Sequence, residues 1–370
     1  MTPRERIRKA LTHKEPDKIP FDLGSRSSAI EEQAYKDLLS YLNIAKPVTC
    51  FLRAHADIHE EIMKKFSIDT KWIRNVPESS WKKEGGDTLY IDKWNVPWRK
   101  RHDSYYFELD TCPLEKQKQT DILNAEWPEL ITSDMIQKME KQSVSLYSET
   151  DYFLASDIIG AGIFERAWYL RGYEKFLMEI MLEKDFAHKF FRKILKHQQE
   201  AYSLLLERIG KYIECVWITD DVATQDSLMF SPEIYREMIK PYQKELIKFI
   251  QERGVEVIFH SCGAVTELIP DFIEMGAHIL HPVQISARGI DTEKLKKEFG
   301  KDLVFWGGGC DIEILQNGSK QQVIDEVKKR IHDLRAEGGF VFTPTHCIQP
   351  GTPPENIIAM IETLNTDGLY

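Results

Sequence analysis

The chain has 370 residues, of which 42% are hydrophobic and 29% are charged, a composition that provides a large core under a well-solvated surface. Its formal net charge of -10 argues against a nucleic-acid or anionic-membrane surface, since both need clustered Lys and Arg. No stretch approaches the roughly 18 apolar residues of a membrane span, and the N-terminus MTPRERIRKAL is not signal-like, so we expect a cytoplasmic protein.

The first predicted elements are a short helix and a strand. Thr2 and Glu5 form the pattern of a capping box, which predicts a helix that ends before Pro16. The segment IPFDLGS predicts the first strand. Residues 30–149 are irregular, with turn signals such as Gly85-Gly86 and many aromatic residues, namely Trp72, Trp81, Tyr90, Trp94, Trp98, Tyr105, Tyr106 and Phe107. We interpret this part as a strand-rich insertion that covers one end of the fold, not as a separate domain.

After Glu149, short β-branched apolar runs alternate with amphipathic helices, the pattern of βα units around a parallel sheet. The runs are Tyr152 to Ala155, Cys215 to Thr219, Val255 to Phe259, Ala277 to Pro282, Leu303 to Trp306, and Phe340 to Thr343. The first strand and one strand hidden in the insertion bring the count to eight. The sequence therefore predicts one α/β domain over residues 1–370, a (β/α)8 TIM barrel with an aromatic-rich N-terminal insertion.

Two later helices carry clear start signals. Ser319 is the predicted cap of a helix with apolar positions at the 3.6-residue period, which Gly338 and the glycine after it end. Thr352 and Glu355 predict a second capping box, with Pro353 at the first helical position of the last helix.

The active site of such a barrel lies at the carboxyl ends of the strands, and the residues there are polar. They are Asp22, Arg26, Ser156, Asp157, Asp220, Asp221, His260, Ser261, Cys262, His281, Gln284, Cys310, Asp311, His346 and Cys347. From this rim and the strand before Gly307 we expect substrate contacts by Asp22, Arg26, Trp306, His281 and Gln284.

His260 and Cys262 end the run VEVIFHSCG, where residues two apart point to the same face and Gly263 permits a tight turn. Cys347, after the last strand, lies at the same rim. Two thiolates and one imidazole with a free fourth position are typical of a catalytic zinc site. The alternative is that a short HxC pair and a distant cysteine are unconnected, and spacing alone does not decide between them. Cys310 could also compete with Cys347.

Three carboxylates are candidates for acid–base chemistry. Asp220 and Asp221 follow CVWIT and could act as a base, a fourth metal ligand or substrate contacts, or one of them could only cap the following helix. Glu165 is a weaker candidate for the same roles, because a helix salt bridge with Arg166 or Arg171 also explains it.

Several segments resemble the uroporphyrinogen decarboxylase superfamily over nearly the whole chain, and within it the cobalamin-dependent methyltransferases. They are DDVATQDSLMFSPEIYREMIKPYQKEL, HSCGAVTELIPDFIEMGAHILHPVQ, FGKDLVFWGGG and PTHCIQPGTPPENI. The arginine- and glycine-rich motif of the decarboxylase is replaced by FDLGSRSS, which leaves Asp22 and Arg26 as comparable residues. The methyltransferases hold zinc through HxC and a later cysteine, and His260, Cys262 and Cys347 match that pattern. Many relatives have asparagine in place of Cys347, where the zinc interpretation fails.

The resemblance implies a zinc-dependent transfer of a methyl group between a small substrate, favoured as a methoxylated aromatic, and the cobalt of a corrinoid. The chain has no DxHxxG cobalamin motif, so a separate corrinoid protein supplies the cobalamin. Superfamily members are often dimers, so a homodimer is also expected.

Other functions stay open at this stage. The same site suits methyl transfer from methylcobalamin to a thiol such as coenzyme M, or methyl transfer to tetrahydrofolate. A tetrapyrrole decarboxylase and a non-catalytic corrinoid-binding protein are further alternatives.

Overall fold

The computed structural model describes residues 1–52, 54–74, 80–104 and 107–370. The helices are α1 Pro3–Leu11, α2 Glu32–Tyr41, α3 Glu60–Phe66, α4 Gln119–Asn124, α5 Ser133–Glu149, α6 Ile163–Arg171, α7 Tyr173–Leu182, α8 Lys184–Ile209, α9 Pro232–Ile234, α10 Lys240–Gln251, α11 Ile269–Glu274, α12 Thr292–Phe299, α13 Ile312–Asn317, α14 Lys320–Leu334 and α15 Pro354–Asp367. A π-helical turn, Tyr235–Ile239, joins α9 to α10, and Gly210–Tyr212 and Thr266–Leu268 are 3-10 turns. No helix in the described ranges is long and apolar enough to cross a membrane.

The strands form three sheets in the described part of the chain. They are β1 Cys50–Leu52, β2 His55–Ala56, β3 Thr70–Ile73, β4 Ser80–Glu84, β5 Asp87–Ile91, β6 Pro97–Lys100, β7 Glu108–Leu109, β8 Phe153–Ser156, β9 Cys215–Thr219, β10 Glu256–His260, β11 Ile279–His281, β12 Val304–Trp306 and β13 Phe340–Val341. The largest sheet has seven strands in the order β13-β12-β11-β10-β9-β8-β3, and every pairing within it is parallel.

The segment around Phe21 closes this sheet into a barrel. Phe21 forms a parallel bridge with Phe342, and Asp22 N donates to Phe342 O at 2.9 Å. On its other side, Asp69 N donates to Phe21 O at 2.8 Å, immediately before β3. The predicted (β/α)8 barrel is thus confirmed, with its first strand reduced to this short bridge.

The sequence located most barrel strands closely. Cys215–Thr219 has the predicted bounds, and the strand hidden in the insertion is Thr70–Ile73, which pairs with Phe153–Ser156. The remaining strands lie inside the predicted runs or extend at most one residue beyond them.

A buried cluster fills the barrel interior with inward side chains from successive strands. It includes Trp72, Trp217 and Trp306, and its lower end is closed by Ile7 and Ala10 of α1. The interior is therefore a packed core, so chemistry is confined to the rim.

The insertion contributes a four-stranded antiparallel sheet in the order β4-β5-β6-β7. Neighbouring elements of residues 30–149 belong to the barrel itself, since β3 is a barrel strand and α5 precedes β8. Of the aromatic residues expected to cover the barrel, Tyr105, Tyr106 and the side chain of Trp81 lie outside the described residues.

One of the two predicted capping boxes is present, that of Thr2 with Glu5, and its helix begins at the next residue. Ser319 caps its helix as predicted, and it also forms a capping box with Gln322 that the sequence analysis did not predict. The box predicted at Thr352 was wrong: the Thr352 hydroxyl donates to Gln349 O at 2.8 Å, and α15 begins at Pro354.

Candidate active site

A cavity of about 370 Å³ lies at the carboxyl ends of the barrel strands. One set of lining residues, called here the rim wall, consists of Arg26, Glu165, Asp221, His260 and Cys347. A second set, the aromatic wall, consists of Tyr90, Trp94, Trp98 and Phe107 from the insertion. The cavity is therefore lined both by polar side chains that could bind a metal and by apolar aromatic rings, as is usual for a small-molecule site.

Three potential metal ligands converge at the end of β10. The ligand atoms of Asp221, His260 and Cys262 all lie within 4.8 Å of one another. His260 Nε2 is 3.4 Å from Cys262 Sγ and 3.7 Å from Asp221 Oδ1. The turn that brings them together needs Gly263, whose φ is +100° and where a Cβ would lie 2.5 Å from Thr224 O. Cys262 N donates to Asp221 Oδ1 at 2.7 Å, which fixes the carboxylate beside the thiol.

His281 holds the His260 ring from behind. The two Nδ1 atoms are 2.8 Å apart, and the rings are stacked with centroids 5.0 Å apart. Burial lowers the pKa of His260 to about 4 and that of His281 well below its usual value, so both rings are neutral at pH 7. When His260 Nδ1 donates to His281 Nδ1, the lone pair of His260 Nε2 faces Cys262, the orientation that a metal ligand requires.

The third predicted ligand, Cys347, lies on the same cavity but in a separate group. Its ligand atom groups with those of Glu31 and His55, again within 4.8 Å. His55 Nε2 is 3.2 Å from Glu31 Oε1 and 3.9 Å from Cys347 Sγ, and Cys347 Sγ donates to Arg26 O at 3.3 Å. The structure thus brings His260 and Cys262 together and leaves Cys347 with partners that the sequence did not indicate.

The two groups remain electrostatic neighbours. Burial is the main cause that raises the pKa of the Cys262 thiol well above its usual value, and the charges of Asp221, Glu165 and Cys347 add to it. Thiols in such surroundings ionise when a cation replaces the proton. The imidazole, thiol and carboxylate donors at the end of β10 are those that zinc prefers, so these residues fit a zinc ion.

Asp220 has a structural role at the start of helix α6. Its carboxylate accepts hydrogen bonds from Phe164 N at 3.0 Å, Glu165 N at 2.8 Å and Gln243 Nε2 at 2.8 Å. It therefore caps α6, whereas the sequence had suggested the helix that follows it. Burial raises the pKa of Asp220 to about 7, with a further contribution from Glu165. The close approach requires Gly162, because a Cβ there would lie 2.4 Å from Asp220 Oδ1.

Glu165 and Asp221 both reach the cavity. Glu165 accepts from Tyr169 OH at 2.6 Å and from Thr219 Oγ1 at 2.9 Å, so its carboxylate is fixed. Burial raises the pKa of Glu165, with a contribution from the charge of Asp221, and burial raises the pKa of Asp221 to about 6. Carboxyl groups tuned toward neutral pH can hold or release a proton during a reaction.

The salt bridges suggested for Glu165 are not the ones that form. Arg166 lies 3.6 Å from Asp92, and Arg171 lies 2.6 Å from Glu179. The i, i+1 neighbour points away on a helix, and Arg171 turns toward α7, which leaves the Glu165 carboxylate to the cavity.

Two residues expected to contact substrate lie beneath the cavity floor. Asp22 is fully buried and accepts from Trp72 Nε1 at 2.9 Å and from Trp306 Nε1 at 3.0 Å. Trp306 belongs to the packed interior, and neither residue lines the cavity. The geometry supports a role for both in holding the barrel together and not in contacting a substrate.

The remaining predicted residues divide between the cavity and its support. Arg26 lines the cavity, and its Nε lies 3.8 Å from Asp157 Oδ2. Gln284 Oε1 accepts from Gly263 N at 2.5 Å and so supports the turn after Cys262. His281 supports His260, as described above. Cys310 belongs to neither ligand group of the described residues, because its thiol is buried and donates to Asp311 O at 3.6 Å.

Sequence reasoning missed Glu31 and His55. Neither lies directly after a predicted strand, and His55 lies 292 positions before Cys347, so no local spacing could connect them. The one available signal was the position of Glu31 near the end of the first-strand segment, on the same rim as Arg26.

The sequence profile of the uroporphyrinogen decarboxylase family matches residues 159–366. Among solved structures, a methyltransferase from Methanosarcina mazei is similar, with a TM-score of 0.65, 16% identity, and coverage of 99% of this chain and 98% of that chain. A β-L-arabinopyranosidase from Geobacillus stearothermophilus has a TM-score of 0.39 and 12% identity, and the match covers 97% of this chain and 77% of that chain. No curated protein matches the chain in sequence. The likeness to the methyltransferase concerns the fold.

Proposed function

The chain belongs to the uroporphyrinogen decarboxylase family, and we propose that it is a zinc-dependent methyltransferase acting on methoxylated aromatic compounds. The methyl group passes between such a compound and the cobalt of a corrinoid held by a separate protein. The observation that carries this proposal is the cavity that Asp221 and His260 of the Asp221, His260 and Cys262 ligand group line together with the aromatic wall. The likeness to a protein named as a methyltransferase supports it.

His260 and Cys262 would hold the zinc ion, with Asp221 and Cys347 as the further ligands within reach of the cavity. Bound there, zinc supplies Lewis acidity toward an ether oxygen. His281 keeps the imidazole of His260 in the orientation that ligation needs. Cys347 is held apart by Glu31 and His55, so we infer that it joins His260 and Cys262 only when the ion is bound.

The other residues of the cavity bind the substrate and handle a proton. Trp94 and Trp98 provide flat apolar surfaces for an aromatic ring and exclude water from it. Glu165, held by Tyr169 and Thr219, is positioned to give a proton to the leaving phenolate oxygen during demethylation and to recover it in the reverse direction. The corrinoid enters with its own protein, because this chain lacks the DxHxxG motif.

Metal analysis tests the ligand assignment. The purified protein should contain about one zinc ion per chain, and a Cys262→Ser variant should contain much less. Cys310→Ser is the matched control, since Cys310 belongs to neither ligand group of the described residues, and it should retain its zinc. A zinc-free wild type, or full zinc in the Cys262→Ser variant, would contradict the proposal.

A second experiment tests the reaction. Cobalamin reduced to Co(I) and a set of methoxyarenes are mixed with the protein, and methyl-cobalt formation is followed by its visible spectrum. We expect methylation of the cobalt that depends on both protein and methoxyarene. Methyl transfer from methylcobalamin to thiols without any reaction of arenes would replace this function with a thiol methyltransferase.

A further inference from the structure

Arg166 differs from the other deeply buried arginine of helix α6. Arg171 is saturated: Nε and Nη2 donate to Glu179, and Nη1 donates to three backbone carbonyls, the shortest at 2.6 Å. Arg166 is also buried, with 7% of its surface exposed, but its Nη1 has no hydrogen-bond partner among the described residues. A buried guanidinium with an unused donor is costly, and such groups are rare without a ligand or an ion.

No acceptor among the described residues saturates the guanidinium of Arg166. The nearest carboxylate, Asp92 Oδ2, is 3.6 Å from Nη1, which is beyond hydrogen-bond distance. The guanidinium lies over the Trp94 ring at 4.8 Å from its centroid and 6.0 Å from that of Tyr169. Burial lowers the pKa of Arg166, which reflects desolvation that Asp92 compensates only in part. Arg166 itself lines the cavity beside Trp94 and Tyr169.

Helix α6 presents two different charges to the two walls. Glu165 interacts electrostatically with Asp221 and His260, so its carboxylate belongs to the rim wall. Arg166 interacts with Asp92 and Trp94, so its guanidinium belongs to the side of the aromatic wall. Because both residues line the cavity, a bound ring would meet the Glu165 carboxylate and the Arg166 guanidinium as two separate polar groups.

We propose that Arg166 binds an acidic substituent of the aromatic substrate, so that the substrates are methoxylated aromatic acids and not neutral methoxyarenes. This inference rests on the proposed function only in taking the substrate to carry a methoxy group. A carboxylate is the natural partner, because a guanidinium fork matches its two oxygens, and the bond is strongest where water is excluded.

Among the described residues, two other cationic side chains line the cavity, and both are weaker candidates for this role. Lys93 Nζ donates to the backbone carbonyls of Glu129 and Leu130 at 2.6 and 2.7 Å, so it is already engaged. Arg26 Nε lies 3.8 Å from Asp157 Oδ2, and its side chain is 24% exposed, so water competes there for an anion. Arg26 is therefore the rival that the experiment has to separate from Arg166.

Calorimetric titration of the full chain, without any corrinoid, tests the inference with a matched pair of ligands. They are 4-methoxybenzoate and 4-methoxybenzamide, which have nearly the same shape but differ in charge. We expect the wild type to bind the acid about tenfold or more tightly than the amide. In Arg166→Gln this preference should fall below about twofold while amide binding is retained, and Arg166→Lys should recover part of it.

Two control variants and three contrary results complete this test. Arg8→Gln, an exposed arginine that pairs with Glu214 outside the cavity, should leave both affinities unchanged. Arg26→Gln should keep the preference for the acid. No preference in the wild type, a preference that survives in Arg166→Gln, or its loss in Arg26→Gln would each overturn the inference.

The titration result for Arg166 can also be distinguished from the result of the tests of the proposed function. Acid-selective binding without zinc or methyl transfer would leave the anion site standing and remove the methyltransferase. Methyl transfer from neutral methoxyarenes without acid-selective binding would do the reverse.

Discussion

The two walls of the cavity are built in different ways. On the rim wall, Glu165 and Asp221 are fixed by hydrogen bonds from Thr219, Tyr169 and the backbone of Cys262. On the aromatic wall, rings hold one another by edge-to-face packing, as in the Tyr90 pair with Phe107 at 6.4 Å between centroids. Hydrogen bonds define positions sharply, whereas ring packing tolerates adjustment.

The walls also come from different parts of the chain. Four of the five rim-wall residues, Glu165, Asp221, His260 and Cys347, lie within residues 159–366, where the family profile matches. Arg26 and the aromatic wall at residues 90–107 lie outside it. We infer that the rim wall carries the chemistry shared with the family and that the aromatic wall selects this chain's substrate. Three substitutions test this division, beginning with the largest expected effect.

The rim wall depends on Asp220. Asp220→Ala should lower the free energy of unfolding by about 2–4 kcal/mol, because it leaves three buried donors without an acceptor. Burial raises the pKa of Asp220 to about 7, so ionisation destabilises the folded state as pH rises from about 4 to 7. The Asp220→Ala variant has no carboxyl group to ionise. Its loss of unfolding free energy relative to the wild type should therefore be larger at about pH 5 than at about pH 8.

Urea unfolding measures this difference, with Asp226→Ala as the control, since Asp226 lies in the same loop but is exposed. Equal stability of the two variants would mean that Asp220 does not support the rim wall.

His281 is the next test, because it acts on the metal only through His260. His281→Leu should weaken zinc binding about tenfold to hundredfold, the usual cost of removing the partner of a ligating histidine. Competition with a coloured chelator measures the affinity. His278→Leu is the control at the other end of the strand, where the side chain is exposed. Weakening by both variants alike would point to damage of β11 instead.

The aromatic wall should respond differently. Trp98→Ala should raise KM about tenfold and change kcat by less than about threefold, because the ring contributes binding area that does not change during methyl transfer. Tyr147→Ala, an exposed tyrosine on α5, should change neither parameter. If Trp98→Ala lowered kcat with an unchanged KM, the division between the walls would fail.

Much of the fold could be predicted because the barrel strands are local signals. CVWIT is a continuous apolar run with polar ends, and it became β9 with the predicted bounds. TKWI could be inferred only as a hidden strand, since its lysine and short length do not distinguish it. Its pairing with β8, which depends on the whole barrel, makes it a strand.

The site was predictable where one strand sets the geometry. His260 and Cys262 are two positions apart, so the sheet itself brings them together. The partners of Cys347 could not be predicted, because Glu31 and His55 meet it only through tertiary structure. Trp306 was expected to contact substrate because it ends a strand, but its indole turns inward to a carboxylate that no local pattern reveals.

That carboxylate, Asp22, also determines the order in which the molecule can be assembled. It accepts from Trp306, which follows it by 284 positions, and the neighbouring Phe21 pairs with Phe342. During synthesis the N-terminal segment leaves the ribosome long before either partner exists, so it must wait outside the sheet. Closing so distant a contact costs chain entropy that only the completed barrel repays. We therefore expect Arg26, four residues after Asp22, to reach the cavity only when the barrel closes, so that the binding site is completed late in folding.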